Sequence, residues 1–310
     1  FLTDAVGKRL QRIEALKGIF IIDYSRSSRP HESEAIQVLK RLVLLFGTKR
    51  VTVLAYKNGF ANFLSKFTNI TSKASELIGV HHMKFMVFDD CAMITGYCET
   101  KVYWFNLIFS ANLNRSYFEN RIDRYILFNN SIDLSNYLVE LTDKLKHVYH
   151  RLSDNGMFLP PTSDYTIKDL KSHSSISCCD PEFVYLYPCI QMKKFGLTQD
   201  SDFLNALFSF SPQIIKKSSA IFMCTGYFNL TKKIKNAILN TRNNWNLLTS
   251  SPKSNSFYAS KGVTSVIPSL YEFNLLDFSR KASKQKQSLR SFEFVHDKHT
   301  FHAKGSLVLF

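Results

Sequence analysis

Two short stretches of this chain place a histidine two residues before a lysine: His82 and Lys84 in GVHHMKFMVFDD (79–90), and His302 and Lys304 in HTFHAKGSLVLF (299–310). In extended backbone, residues two apart project from one face, so each pair presents an imidazole and an ammonium together. Either pair alone is weak, because a surface strand with scattered basic residues carries the same letters. Its recurrence 220 residues later (302 − 82 = 220) gives it weight. Brought to one phosphorus atom, two such couples can do displacement chemistry without a metal. One imidazole attacks phosphorus, the other protonates the leaving oxygen, and the two ammonium groups hold the non-bridging oxygens. A covalent phosphohistidine divides one displacement into two, and the second attacker, water or an alcohol, decides the product.

The elements that must position these pairs repeat as well. Before the first pair come a predicted strand GIFIIDYSR (18–26), a helix SEAIQVLKRLVLLF (33–46) and a strand RVTVLAY (50–56). Before the second come SAIFMCTGYFN (219–229), LTKKIKNAILN (230–240) and WNLLTSS (245–251), in the same order. A duplicated βαβ-like unit of this kind predicts an α/β architecture. At 310 residues and 45% hydrophobic content the chain can bury a sizeable core, and its length favours two domains or one duplicated domain. The expected organisation is a first half over 1–155, a connector over 156–182 and a second half over 183–310. The first half ends in a helix predicted over 132–152 from apolar residues at helical spacing. Residues 276–300 read as a polar, basic loop over the site or a solvated connector.

A formal charge of +15 points to an anionic partner: nucleic acid, a phospholipid surface or a phosphorylated small molecule. Basic residues are dispersed, as in KKIK (232–235) and RKASKQKQSLR (280–290). Anionic lipid attracts such segments by about 1 kcal/mol per residue near its surface. No run reaches the roughly 18–20 apolar residues that span a bilayer. Six cysteines show neither a paired CxxC zinc spacing nor a dense disulfide framework, which predicts reduced, mostly buried thiols. No carboxylate and histidine cluster has metal-ligand spacing, so neither a metal nor a cofactor is expected. His81 is expected to point away from its neighbour His82.

His82-x-Lys84-x4-Asp89 followed by Asn112, together with His302-x-Lys304, resemble the paired motifs of the phospholipase D superfamily. Within it the chain resembles the mitochondrial phosphatidylglycerophosphate synthases. The resemblance extends over DYSRSSR (23–29), ANLNRSYFENRIDRY (111–125), YPCIQMKKF (187–195), TGYFNLT (225–231), SPKSNSFYASKGV (251–263) and FHAKG (301–305), in order over nearly the whole chain. It implies a duplicated phospholipase D-like α/β fold, two βα-rich halves with the active site at their pseudo-twofold interface. It implies transfer of a phosphatidyl group from CDP-diacylglycerol to sn-glycerol 3-phosphate, on the route to phosphatidylglycerol and cardiolipin. The implied partners are those two substrates and an anionic phospholipid membrane surface, bound peripherally, with no nucleic acid expected. The implied location is the matrix side of the mitochondrial inner membrane. A phospholipase D-type hydrolase of lipid or nucleic acid would use the same histidines with water as acceptor.

The resemblance also implies roles. His82 becomes phosphatidylated while His302 protonates the departing CMP and then deprotonates the glycerol hydroxyl; the two roles can be exchanged. Lys84, Lys304 and Asn112 bind phosphate oxygens, and Asp89 braces its own motif by hydrogen bonds. Asp123 is a candidate acceptor that fixes a histidine tautomer, its alternative being an ordinary ion pair with Arg121 or Arg124. Arg26 and Arg29 are candidates for the phosphate of glycerol 3-phosphate, through bidentate guanidinium contacts. Lys253 and Lys261 are weaker candidates in a loop where Gly262 permits a tight backbone. The chain departs from the family where Gly96 and Ala111 are separated by YCETKVYWFNLIFS, and where it stops six residues after Lys304 (310 − 304 = 6). With no initiator methionine, it reads as a fragment with an incomplete second half.

Overall fold

In the computed structural model the residues described are 2–27, 35–58, 81–95, 119–123, 125–162, 167, 185–203, 205, 220–241 and 243–309. In chain order the elements begin with α1 (Leu2–Arg12), β1 (Gly18–Asp23), the one-turn α2 (Tyr24–Ser27), α3 (Ala35–Phe46) and β2 (Val51–Tyr56). Next come β3 (Phe85–Phe88), β4 (Cys91–Thr95), β5 (Arg121–Ile122), β6 (Tyr125–Phe128), α4 (Ile132–Val148), β7 (His150–Leu152) and β8 (Phe158–Leu159). Then follow β9 (Gln191–Met192), β10 (Leu197–Thr198), β11 (Ala220–Thr225), α5 (Lys232–Asn240) and β12 (Trp245–Ser250). Last are α6 (Ile267–Lys284), β13 (Leu289–Phe294), β14 (Thr300–Phe301) and β15 (Lys304–Leu309). Both expected strand, helix, strand repeats are present, as β1, α3, β2 and as β11, α5, β12.

By contact the chain forms two compact units, one of residues 1–83 and 136–170, the other of 84–135 and 171–310. The cut expected near 155–183 followed the sequence alone. The β5–β14 pairing described below joins residues of 84–135 to the end of the chain.

In the first unit the sheet order is β1-β2-β7-β8, with β1 and β2 parallel and β2 and β7 antiparallel. Val51, Val53, Leu54 and Ala55 of β2 are fully buried, as a central strand covered on both faces requires. Helix α3 buries Ile36, Leu39, Leu42 and Val43, three and four residues apart, on the core side. It ends where Gly47, at φ +74°, donates its N–H to Val43 O, a left-handed cap that glycine adopts without penalty. Carbonyls at the end of α1 and just beyond it are satisfied from a distance: Arg50 Nη2 donates to Leu10 O at 2.6 Å and to Ile13 O at 2.7 Å. The helix predicted over 132–152 stops at Val148, because His150–Leu152 pair with β2 and β8 and Leu152 enters the core.

The second unit contains a sheet of order β13-β12-β11-β15, in which β11, β12 and β13 are parallel and β15 is antiparallel to β11. Ile221, Phe228, Ile238, Trp245, Leu247, Leu275, Phe278 and Val308 form its core. The Thr231 side chain accepts from Ile234 N–H and so caps α5. Residues 276–300 are not the expected loop or connector: α6 runs to Lys284 and β13 follows. The polar letters of that stretch conceal Phe278 and Ala282, which with the preceding Leu275 recur at helical spacing and bury one face. A small antiparallel sheet of order β3-β4-β6 completes the unit, together with the two-residue pairs β9–β10 and β5–β14.

Candidate active site

His302 sits between β14 and β15, and its position is set by backbone rather than by its own side chain. The β5–β14 ladder pairs Arg121 with Thr300 and Ile122 with Phe301, and His302 N–H donates to Ile122 O at 3.0 Å. The next residue on each strand is therefore Asp123 on one and His302 on the other. Their side chains meet: His302 Nδ1 lies 2.7 Å from Asp123 Oδ2, the two side chains being 8% and 1% exposed. Ser254 ties the approach to this point, accepting Phe301 N–H on its carbonyl at 2.9 Å and His296 N–H on its hydroxyl at 2.8 Å. Beneath the turn, a Cβ on Gly226 would lie 2.6 Å from Phe301 O and 3.3 Å from His302 Cα, so only glycine fits there.

The electrostatics of His302 follow from those contacts. The Lys304 ammonium lies 2.8 Å from Nδ1 and 3.0 Å from Nε2 and donates to His302 O at 2.5 Å. A carboxylate only accepts, so Nδ1 carries the proton toward Asp123 and cannot also accept from Lys304. Nε2 is left with a lone pair beside a cation. Burial depresses the proton affinity of His302 most, Asp123 restores part of it by its hydrogen bond, and Lys304 lowers it again. Burial also lowers the Lys304 pKa to about 8. The Tyr227 ring stands edge-on to His302 at 5.9 Å, with its hydroxyl donating to Ser256 Oγ at 2.7 Å. An imidazole of fixed tautomer, an adjacent ammonium and a largely water-excluded setting suit attack on, or proton exchange with, a phosphate ester.

The first motif is supported differently. Residues 81–84 precede β3, so His82 and Lys84 lie on irregular backbone rather than within the strand. His81 turns inward: its N–H donates to Asp23 Oδ2 at 2.8 Å, and its Nδ1 lies 2.7 Å from the Tyr149 hydroxyl. Asp23 ends β1 opposite Tyr56 and also accepts Arg26 N–H at 3.1 Å. Burial, then Tyr56 and Asp23 beside it, push Tyr149 well above the usual phenol range, so it remains a neutral hydroxyl. His82, next in the chain, is exposed.

Among the other expected residues, Asp89 lies with Asp90 in the two-residue turn between β3 and β4, exposed and at φ +51°. Aspartate tolerates that left-handed conformation better than most side chains, which gives Asp89 a turn-forming task of its own. Arg26 is half-buried in α2 directly after β1, and Lys253 and Lys261 are exposed on the loop after β12, where Gly262 takes φ +68°. Arg29, Asn112 and the stretch 97–110 lie outside the described residues. Among the described residues no group of three or more His, Cys, Asp or Glu could hold a metal ion, and no helix is long and apolar enough to cross a membrane. Of the cysteines described, Cys189 is exposed and Cys91 and Cys224 are half-buried, not the buried thiols expected. The sequence reading passed over Gly226, Tyr227, Ser254, Asp23 and Tyr149. For the first three the signal lay in TGYFN and SPKSN, each directly after a parallel strand of the second unit, where ligand sites of open α/β sheets gather.

No family model matches the chain. A probable CDP-diacylglycerol–glycerol-3-phosphate 3-phosphatidyltransferase of Dictyostelium discoideum is 30% identical over 336 residues, which cover 96% of this chain and 54% of the relative. The mitochondrial enzyme of that name from Gallus gallus is 27% identical over 355 residues, 98% of this chain and 60% of the relative. The chain is a homologue of these phosphatidyltransferases. It spans 54% and 60% of their respective lengths. Among solved structures, a phosphatidylserine synthase of Haemophilus influenzae Rd KW20 superposes with a TM-score of 0.63 at 17% identity, over 98% of this chain and 66% of that one. The mixed α/β fold is thus the phospholipase D-like fold of that phospholipid synthase.

Proposed function

We propose that the chain carries the catalytic machinery of a phosphatidyltransferase, moving the phosphatidyl group of CDP-diacylglycerol to sn-glycerol 3-phosphate. The observation that carries this reading is the buried His302, held through Nδ1 by Asp123 with Nε2 beside the Lys304 ammonium, in a homologue of enzymes so named. His82 Nε2 attacks the phosphatidyl phosphorus as its bond to the CMP oxygen breaks, and His302 gives that oxygen a proton. His302 then takes the proton of a glycerol 3-phosphate hydroxyl, whose oxygen displaces His82 and yields phosphatidylglycerol phosphate. The buried Asp123 carboxylate supports this proton traffic by stabilising the imidazolium. In the resting site His302 has a depressed proton affinity, so the incoming diphosphate, itself anionic, is what favours its protonated form.

Lys304 and Lys84 neutralise the non-bridging oxygens; Asn112, Arg26 and Arg29 are assigned to the substrates' phosphates. Asp89 is assigned to shaping the turn of its motif. The vertebrate relatives named mitochondrial support a mitochondrial site of action, at a membrane that contains the lipid substrate. The product is the precursor of phosphatidylglycerol and cardiolipin. Incubation with CDP-diacylglycerol and labelled glycerol 3-phosphate tests the reading: label enters lipid in step with CMP release. CMP released without labelled lipid would make the protein a hydrolase instead.

A further inference from the structure

Helix α6 presents an apolar stripe outward. At about 100° per residue, Leu270 and Leu276 fall about 60° to either side of Phe273. These three residues are 54%, 49% and 64% exposed, respectively, while Leu275, Phe278 and Ala282 bury the opposite side. Arg280 and Lys284, further along, fall about 20° to either side of the same line. Both are exposed, so the apolar stripe runs into a basic end. The acidic residues nearby do not reverse that charge. Asp277 pairs with Lys281 at 2.6 Å, and Glu272 lies about 100° around the helix from Phe273. Exposed apolar patches of this kind, rimmed by polar residues, mark docking surfaces.

The inner side of the same helix reaches the candidate site. Tyr271 packs its ring 5.4 Å from Tyr227, and Tyr227 stands 5.9 Å from His302. We infer that α6 is the surface through which the protein lies on an anionic phospholipid bilayer. Leu270, Phe273 and Leu276 enter the boundary between headgroups and acyl chains, while Arg280 and Lys284 contact anionic headgroups. An apolar face with basic flanks is the pattern of interfacial helices, and the chain's formal charge of +15 complements such a membrane. The inference rests on the phosphatidyltransferase reading for its purpose, though not for its test.

The test is flotation of the whole protein with vesicles of 70% phosphatidylcholine and 30% phosphatidylglycerol at 0.1 M salt. F273E weakens binding at least tenfold, and R280E combined with K284E weakens it at least 25-fold. Unchanged melting temperatures show that these surface variants fold. A Leu270→Trp variant gives an emission quenched by brominated acyl chains, which a solvent-facing helix would not. Activity on a short-chain, water-soluble CDP-diacylglycerol stays as in the parent for F273E, while activity on vesicle-embedded substrate falls with binding. Wild-type binding by both charge variants, or absence of quenching, overturns the inference. So does an F273E variant that turns a dimer into a monomer without loss of vesicle binding. No CMP release on either substrate, with vesicle binding behaving as described, would remove the catalytic reading and leave the docking surface standing.

Discussion

The two His-x-Lys segments have the same letters and are held in opposite ways. His302 is itself buried, with its ring clamped on Asp123 and its backbone clamped on Ile122. His82 is exposed, and the clamping falls on its neighbour His81, through Asp23 and Tyr149. A short motif therefore specifies which groups are offered but not how they are supported. In the second unit the support acts on the His302 ring and sets its tautomer and proton affinity. In the first, the contacts of His81 act one residue away and fix where the chain runs. The proposed mechanism gives the two rings different tasks, proton transfer to His302 and the covalent bond to His82, and the difference in support is where that assignment can be tested.

The largest effects should come from the rings themselves. His302→Ala and His82→Ala each lower phosphatidyl transfer by about 10²–10⁴-fold, measured as label entering lipid. They differ in what accumulates: a protein-bound lipid phosphate is trapped only where His82 is intact. The next effect separates the supports. Asp123→Asn, which removes the anion that fixes the His302 tautomer, lowers kcat about 10–100-fold. Asp23→Asn keeps one oxygen acceptor where the carboxylate serves both the His81 and the Arg26 N–H, so its cost should fall chiefly on stability, about 1–3 kcal/mol in chemical denaturation. Equal kinetic losses in both variants would erase the distinction between the two supports.

How much of this was readable in the sequence follows the same line. The strands and helices around both motifs were legible, because β1, α3, β2 and β11, α5, β12 announce themselves by apolar period. The helix in 267–284 was not, since SRKASKQKQ places its charges where a loop would, and only the spacing of Leu275, Phe278 and Ala282 betrays the buried face. Asp123 was legible as a candidate from ENRIDRY, but its partner was not. Which histidine it meets depends on a two-residue ladder between segments 179 positions apart, information that no local window contains. Gly226 was illegible for a related reason: its constraint is the carbonyl of Phe301, a long-range contact.

The pH profile sharpens the contrast further. Lys304 has its pKa lowered to about 8, so its ammonium is present below that pH and is lost above it. kcat/KM, which reports the free enzyme, should therefore fall as pH rises through about 8, by about tenfold per unit once the amine is neutral. Lys304→Arg keeps its charge at every accessible pH and should remove that alkaline limb, at reduced activity because the guanidinium is larger. On the acid side the depressed proton affinity of His302 keeps its ring neutral to lower pH than an ordinary histidine. An alkaline limb that persists unchanged in Lys304→Arg would transfer the titration to another group.

The smallest effects test the scaffolds beneath each ring. Gly226→Ala drives a methyl against Phe301 O, and overpacking of this kind costs about 1–3 kcal/mol. Because the displaced backbone is that of Phe301 and His302, its activity should fall along with its melting temperature. Tyr149→Phe deletes one buried hydroxyl and the contact to His81 Nδ1, worth about 1 kcal/mol. Since His81 keeps its N–H on Asp23, the backbone that presents His82 stays anchored, and kcat should change by less than about threefold. A Tyr149→Phe variant with normal stability and a large loss of kcat would mean that the Tyr149 hydroxyl, acting through the His81 ring, takes part in the chemistry. The first motif would then be supported as directly as the second.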